Sequence, residues 1–563
     1  MKRNSIYLLC LLVGFSFSSC NGYLAEENLS NVNSDEYFQE KDGFESLVNG
    51  CYATLRTMYG SEPWLFNLGV DIFTRGESRE IGGNYENRDV YSAELNEYTT
   101  LDAQNGFVSS FWSNAYYGIQ VCNTAINKVG GRQSESVVKI RLAEARFIRA
   151  YYYYLLVEQF GDIPLVTNEI NAPVTEFTRM PEKEVYNFII SELNDVVQVL
   201  PAQPEAFGRA SQGAAKHLLG LVHLTRGYKS YGDQNDFIRA AQLFDEVING
   251  GQYSLQTTFA DVYNINNQQS NEIIFSVQYD SKSFGSRYGG NSQAYSYGFL
   301  LDKKVSSGFD RYSSEYGFHD NQFMATPYLF SLFDTSKDSR YDATFKSEFY
   351  ATMAAAAGNI KVGDLRLYFP TYDKPFTAQD SLDLVAKNPN VIIVPKSMWK
   401  QDIENVGGSG MCPMIWKFHD LTADVGGDTR QRTSTRDIFL FRLADTYLLD
   451  AEACLKAGNM QRATELINAV RERAALPGHK AEMDVAPADI DIDFILDERA
   501  REMAGEYNRW MDLKRTGKLI ERTKKYNNLT SSKGSMDDHI LVRPIPQSII
   551  DQTTGYFPQN TKY

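Results

Sequence analysis

The sequence has few of the groups that metal and nucleophile chemistry need. It holds only 6 histidines and 6 cysteines in 563 residues, and no two cysteines stand as C-x-x-C. His217 and His223 share a helical stretch but stand six apart, off the three- and four-residue spacing that puts side chains on one helix face. The histidines therefore read as structural, and no metal or cofactor is expected. The patterns H-E-x-x-H, G-x-S-x-G, G-x-x-x-x-G-K-[ST] and G-x-G-x-x-G are missing, which removes the zinc-protease, hydrolase-elbow and phosphate-cradling classes. Positive charge is scarce as well. Lys and Arg number 56 against 71 Asp and Glu, a net charge of −15 with no basic tract, and this is the wrong sign for nucleic acid.

Long apolar runs are missing after the first residues. Lys2 and Arg3 precede the apolar stretch Ile6 to Phe17, which is too short to span a bilayer comfortably and ends in Ser18-Ser19-Cys20. This is an export signal. A cysteine after two small residues at that position resembles the lipobox of bacterial lipoproteins, so Cys20 is expected to be lipidated and to become the new N-terminus, holding the chain to a membrane. Cys51, Cys122 and Cys454 lie in helical patterns beside apolar residues and read as buried free thiols.

Aromatic residues are plentiful, with 35 Tyr and 33 Phe. Tyrosine packs a ring while offering a hydroxyl, which suits a recognition surface and also a large core. Apolar residues at steps of three and four predict helices over Asp42–Tyr59, Ser110–Val129, Val138–Phe160, Pro181–Leu200, Ser211–Tyr231 and Asp236–Ile248. Tyr447, Ala451, Gly458, Ala463, Ile467 and Val470 fall at the offsets of a tetratricopeptide repeat. A looser match runs through Leu219, Gly220, Ala240, Phe244 and Val247. Such units bury their faces only by stacking. The expected class is mainly α, a tetratricopeptide-like helical-repeat scaffold with a long irregular, loop-rich region and a few short strands such as Ile273–Gln278 and Val391–Val394. The expected divisions are 1–19 signal peptide, 20–42 lipidated cysteine and linker, 43–250 N-terminal helical repeats, 251–435 irregular part, 436–520 C-terminal helical repeats and 521–563 tail.

Three stretches carry a family resemblance: AEARFIRAYYYYLLVEQFGDIPLVT (Ala143 to Thr167), FLFRLADTYLLDAEACLKAG (Phe439 to Gly458) and ILDERAREMAGEYNRWMDLKRTG (Ile495 to Gly517), with the ending Arg543-Pro544-Ile545-Pro546. They resemble the signatures of the SusD/RagB family of nutrient-uptake lipoproteins, and the likeness spans essentially the whole mature chain. It implies a surface lipoprotein that captures oligosaccharides, less often peptides, and acts as a lid on a SusC-like TonB-dependent transporter of the outer membrane. The acidic pair Glu26 and Glu27 resembles the surface-export signals of Bacteroidetes lipoproteins. The family has no fixed ligand motif, so only the general location of the binding face carries over.

Sugar rings lie flat against exposed aromatic rings while their hydroxyls seek Asp, Asn and Arg. Trp64, Phe66, Asp71, Arg75, Arg79, Asn84 and Tyr85 gather both kinds after the first helix, with Asp71 and Arg79 as the expected polar clamp. Tyr288, Tyr295, Tyr297, Phe309, Tyr312, Tyr316 and Trp399 are the candidates in the irregular part, whereas Trp112, Trp416 and Trp510 read as core. Asp489, Asp491 and Asp493 are expected to favour a helix N-terminus rather than hold calcium. Glu498, Arg499, Glu502 and Glu506 are spaced for ion pairs along one helix. No catalytic residue is assigned. Three readings stay open: a glycan-binding module, a peptide-binding member of the same family, and a surface glycoside hydrolase with two unrecognised carboxylates.

Overall fold

The computed structural model describes residues 37–38, 40–60, 64–76, 86–128, 135–280, 290–299, 301–310, 313, 315–316, 322–399, 411–421, 434–533 and 536–563. Its principal helices are α1 (Lys41–Tyr59), α2 (Gly106–Asn127), α3 (Glu135–Phe160), α4 (Glu182–Val199), α5 (Gln212–Gly227), α6 (Gln234–Ile248), α7 (Ala378–Lys387), α8 (Leu443–Ala457), α9 (Met460–Ala474), α10 (Ile492–Met503), α11 (Arg509–Arg515) and α12 (Gln547–Gln552). Short strands include β1 (Phe73–Arg75), β2 (Ile273–Val277), β3 (Phe323–Ala325) and β4 (Ile438–Arg442).

The six helices expected from periodicity in the first half all form. In α1 the stripe Phe44, Leu47, Val48, Cys51 and Leu55 is buried, as steps of three and four require. Side chains fix the helix starts. Asn105 Oδ1 accepts from the Phe107 and Val108 amides before α2, Ser211 Oγ accepts from Ala214 before α5, and Asp233 with Asp236 makes a capping box on α6. Each such cap satisfies an orphan amide and is worth about 1 kcal/mol.

Helix α3 buries every residue from Phe147 to Phe160 and so lies at the centre of the scaffold. Its tyrosines keep their hydroxyls paired: Tyr151 with the Tyr59 hydroxyl at 2.5 Å, Tyr152 donating to Thr54 Oγ1 at 2.8 Å, and Tyr153 donating to the Val166 carbonyl at 2.7 Å. Part of the tyrosine excess is thus spent on a polar-tipped core, where an unpaired hydroxyl would be costly.

Successive helices pack in sequence from α1 to α6, and α8 then packs on α6 although nearly two hundred residues separate them. The stack is tetratricopeptide-like. A Cβ at Gly220 would lie 2.7 Å from the Phe244 ring, so glycine there lets α5 and α6 approach. Ala451, Ala463, Ile467 and Val470 are buried together, and Gly458 ends α8 in the left-handed conformation.

The excursion between α6 and α8 is closed at its mouth by the antiparallel pairing of β2 with β4, Ile273 opposite Arg442 and Val277 opposite Ile438. Within it stand a sheet of Glu348–Tyr350, Leu365–Tyr368 and Ile392–Ile393 and helix α7, which the failing periodicity did not predict. Its sequence signal is local: Thr377 and Asp380 form a capping box, while its residues Leu382 and Val385 are exposed and give no core stripe.

The carboxylates expected to pair along α10 instead reach across the molecule. Glu498 Oε1 accepts from Arg340 at 2.7 Å and its other oxygen from Arg471 at 2.6 Å, with Arg501 as the local partner. Glu502 is held by Arg340 at 3.1 Å, Arg442 at 2.8 Å and Arg473. Glu506, just past the helix, meets Arg442 at 2.9 Å and Lys417 at 3.0 Å. Arg499 joins Asp445 at 2.7 Å and Asp512 at 2.8 Å. All of these acids are buried. Burial pushes Glu502 up, but the surrounding guanidinium groups of Arg473, Arg442 and Arg340 outweigh it and hold the carboxyl at about 2. Ahead of α10, Asp491 accepts from the Phe494 amide at 2.7 Å, whereas Asp493 pairs with Lys518 and Arg522.

Removing one member of a buried network strands its partners, at a cost of about 3–5 kcal/mol. Glu502→Ala is therefore expected to lower the unfolding free energy by roughly that much, measured by urea titration at pH 7. Asp450 shows the opposite electrostatics. Burial, followed by the neighbouring Asp245 carboxylate, pushes it up to about 8. A folded-state pKa above the unfolded value of about 3.9 gives stability that is present below about pH 4 and lost as pH rises through 8. Asp450→Asn is expected to flatten the stability profile between those limits and to raise stability at pH 8, read from urea titrations across the range.

Candidate functional site

Described parts of the two nominated segments meet, with the Phe73 and Tyr297 rings 5.2 Å apart. Strand β1 pairs antiparallel with β3, Phe73 opposite Ala325 and Arg75 opposite Phe323, and the Gly76 amide donates to the Gln322 carbonyl at 2.8 Å. Tyr297 ties both segments to the signature region, since its hydroxyl accepts from Asn67 Nδ2 at 2.8 Å and donates to the Gly505 carbonyl at 2.9 Å. Gly505 has φ +80°, and a Cβ there would stand 2.8 Å from the Phe418 ring, so the tight turn after α10 admits little but glycine.

The described aromatic candidates are core rings in this structure rather than the exposed platforms expected of them. Trp64 is 7% exposed and stacks on Phe107, with ring centroids 4.4 Å apart, while its other neighbour Phe323 is at 4.9 Å. Tyr295, Tyr297, Phe309 and Tyr316 are buried, and Phe309 meets Tyr316 edge-on at 5.7 Å. Trp399 is buried against Phe330 and donates its indole N–H to the Val394 carbonyl at 2.9 Å. The physical reason is common to all: large rings in an irregular region with little regular secondary structure are what that region packs around.

Of the expected clamp, Asp71 alone lies within the described residues. Asp71 is fully buried and accepts from Arg509 at 2.6 and 2.8 Å and from Arg522 at 2.9 Å. Burial raises its pKa and the two guanidinium groups more than reverse this, so the carboxylate sits below its usual range. Asp71 is an anchor for the C-terminal signature. Arg75 pairs with Glu97 at 2.9 Å. Arg79, Asn84, Tyr85, Tyr288 and Tyr312, like Cys20, lie outside the described residues.

Two features escaped the sequence reading. Trp416, half-buried, stacks on His419 at 3.8 Å, and the Lys346 ammonium stands 5.6 Å over Trp416 and 5.8 Å over Tyr316. Burial pushes His419 down to about 4, so it is neutral at pH 7. The second is a groove of about 410 Å³ between α2, the extended chain after α3 and the C-terminal region, lined by Trp112, Tyr116, Phe177, Ile549 and Phe557 among others. Tyr117 and Tyr556 are exposed beside it in sequence. Trp112 is buried as expected, but only the tertiary fold shows that it also lines a cavity.

Comparison with known proteins fits this architecture. The chain is 26% identical over 577 residues to SusD-like protein P2 of Formosa agariphila, covering 100% of this chain and 99% of that one. It is 26% identical over 459 residues to the starch-binding protein SusD of Bacteroides thetaiotaomicron, covering 79% and 77% of the two chains. Among solved structures, a laminarin-binding SusD-like protein superposes with a TM-score of 0.68 at 23% identity, over 93% of this chain and 100% of that one. Residues 23–224 match the family model described as starch-binding, associating with the outer membrane. Residues 225–563, more than half of the sequence, match the SusD family model, and the chain belongs to the SusD family.

Proposed function

We propose that the protein is a cell-surface lipoprotein that captures oligosaccharides and delivers them to a SusC-like TonB-dependent transporter of the outer membrane. The observation that carries this reading is that the two family models together run from residue 23 to residue 563, one of them described as starch-binding and associating with the outer membrane. The geometry supports it in two ways. The buried ionic centre and ring-packed core make a rigid scaffold, and the pairing of β1 with β3 fixes Arg75 opposite Phe323 on it. On this reading Arg79, Asn84, Tyr85, Tyr288 and Tyr312 contact the sugar, and the buried Trp64, Asp71, Tyr295, Tyr297, Phe309 and Trp399 hold the backbone from which those contacts extend. The protein binds without turning its ligand over.

The groove beside α2 favours a second reading, a peptide-binding member of the family, because its lining suits apolar side chains better than hydroxyl-rich sugars. Calorimetry with laminarin and starch oligosaccharides and with mixed peptides decides between them, and reducing-end release in the same tubes reveals a hydrolase.

Tyr85→Ala and Tyr288→Ala are each expected to weaken glycan binding tenfold or more while leaving the melting temperature within a few degrees, since a stacking ring is worth roughly 1–3 kcal/mol. Trp64→Ala and Tyr297→Ala are expected to do the reverse and lower stability by about 3–5 kcal/mol through lost core packing. Unchanged affinity in both Tyr85→Ala and Tyr288→Ala would place the sugar elsewhere. The anchor is tested by Cys20→Ala in cells that lack the transporter, which is expected to leave a folded protein that no longer sediments with membranes, because there the acyl chains alone would hold it. Gentle detergent extraction of the unaltered protein is expected to recover a β-barrel partner of the outer-membrane type, and repeated recovery of the lipoprotein alone would count against delivery.

A further inference from the structure

Cys51 and Cys122 are 71 positions apart in sequence and nothing in their spacing links them. The fold sets them face to face. Cys51 lies on the inner stripe of α1 and Cys122 on the inner face of α2, both with no exposed surface. Helices α1 and α2 pack directly on each other. The residues just before each cysteine show how near the two backbones come: a Cβ built on Gly50 would rest 3.5 Å from Val121 Cγ1. The hydroxyl of Thr54, one turn along from Cys51, donates to the Cys51 carbonyl at 2.6 Å and accepts from Tyr152, which walls the same space from α3. The Cys51 thiol is held well above its usual range, first by its contact with the Cys122 thiol and then by burial. The other cysteines among the described residues, Cys412 and Cys454, are buried elsewhere: Cys454 bonds Asp450 in α8, and Cys412 lies next to the strand Met414–Ile415.

We infer that Cys51 and Cys122 form a site of covalent modification, a dithiol that closes to a disulfide joining α1 to α2 when the chain folds in the presence of a disulfide oxidant. Disulfide geometry needs Cα atoms roughly 4.4–6.8 Å apart with facing Cβ vectors, and the close approach of α1 to α2 at Gly50 and Val121, with the two thiols in contact, is what points to this pair. The oxidant is a disulfide, either of a dithiol–disulfide exchange protein or of a small thiol such as glutathione. One cysteine thiolate attacks a sulfur of that disulfide, forming a mixed disulfide and releasing one thiolate of the oxidant. The second cysteine thiolate then attacks the protein sulfur of the mixed disulfide and releases the other. Two protein thiols are oxidised and one disulfide is reduced to two thiols, which take up the two protons. Because both sulfurs are sealed in the core and the Cys51 thiol resists ionisation, the exchange occurs before α1 seats on α2, and the finished bond is shielded from reductant. A protein exported from the reducing cytosol, as proposed above, meets such oxidants on its route. The chemistry itself does not depend on that export.

The full chain is unfolded, then refolded in a mixture of oxidised and reduced glutathione, with a parallel sample refolded in dithiothreitol. Both are denatured in N-ethylmaleimide, digested and mapped by mass spectrometry. The expected result is a cross-linked peptide pair containing Cys51 and Cys122 in the glutathione sample alone, with Cys412 and Cys454 alkylated in both. Treating the folded, oxidised protein with dithiothreitol before denaturation is expected to leave the link intact, whereas adding it after denaturation abolishes the link. Cys122→Ser is expected to leave Cys51 fully alkylated. Should that variant fail to fold, the mapping of the unaltered chain still decides. Complete alkylation of Cys51 and Cys122 after glutathione refolding overturns the inference, as does a link from either one to Cys412 or Cys454.

Discussion

The carboxylates of Glu498, Glu502 and Glu506 are the point through which the distant parts of this chain are tied. They accept from Arg340 and Lys417 of the irregular excursion, from Arg442 at the end of β4, and from Arg471 and Arg473 of the last repeat helix. Glu272, just before β2, also accepts from Arg442 and Arg473 at 3.2 and 2.8 Å. Burying charges is expensive unless each finds opposite charges and hydrogen bonds at good geometry. The acids and bases of this cluster arrive from six separate stretches of sequence, so only the assembled fold brings them together. A partly folded chain that brought together only some of the partners would hold desolvated, unpaired charges, and that penalty makes the excursion, the β2–β4 clasp and the C-terminal signature cooperative.

A second tie works by the same physics at the other end of the excursion. Asp71 lies next to β1 and binds Arg509 of α11 and Arg522 beyond it. The Tyr297 hydroxyl and the Gly505 carbonyl bring the irregular part to the same turn. Segments far apart in sequence are thereby fixed around β1 and β3. On the proposed function, recognition falls to stretches that leave this frame, in accord with loops carrying function on a fixed scaffold. The rings that the structure buries belong to the frame.

The helices were legible because each carries its own signal. Phe44, Leu47, Val48, Cys51 and Leu55 repeat at helical spacing and are buried on one face. Gly220 opposite Phe244, and Ala451 with Ala463, are small where two helices touch. Helix α7 was missed because it is a surface helix whose apolar residues face outward, leaving only the Thr377–Asp380 cap as a signal. The site was less legible. Trp64, Tyr297 and Trp399 have the same composition in a sequence whether their rings face water or one another, and burial depends on Phe107, Phe323, Asn67 and Phe330, none of which can be paired with them by spacing.

What the sequence determined by itself is what local periodicity and short signatures encode: a mainly helical repeat stack, an irregular excursion, an expected export signal with Cys20 as its anchor, and the signatures of the SusD family. Tertiary structure alone decided the partners. Asp71 answers Arg509, 438 positions further along the chain. Glu502 could have paired along its own helix but instead meets Arg340, Arg442 and Arg473, and Cys51 faces Cys122 across two helices. A charge, ring or thiol acts on whatever lies within a few ångströms, and in a chain folded back on itself through a long excursion that neighbour is set by packing, not by sequence distance.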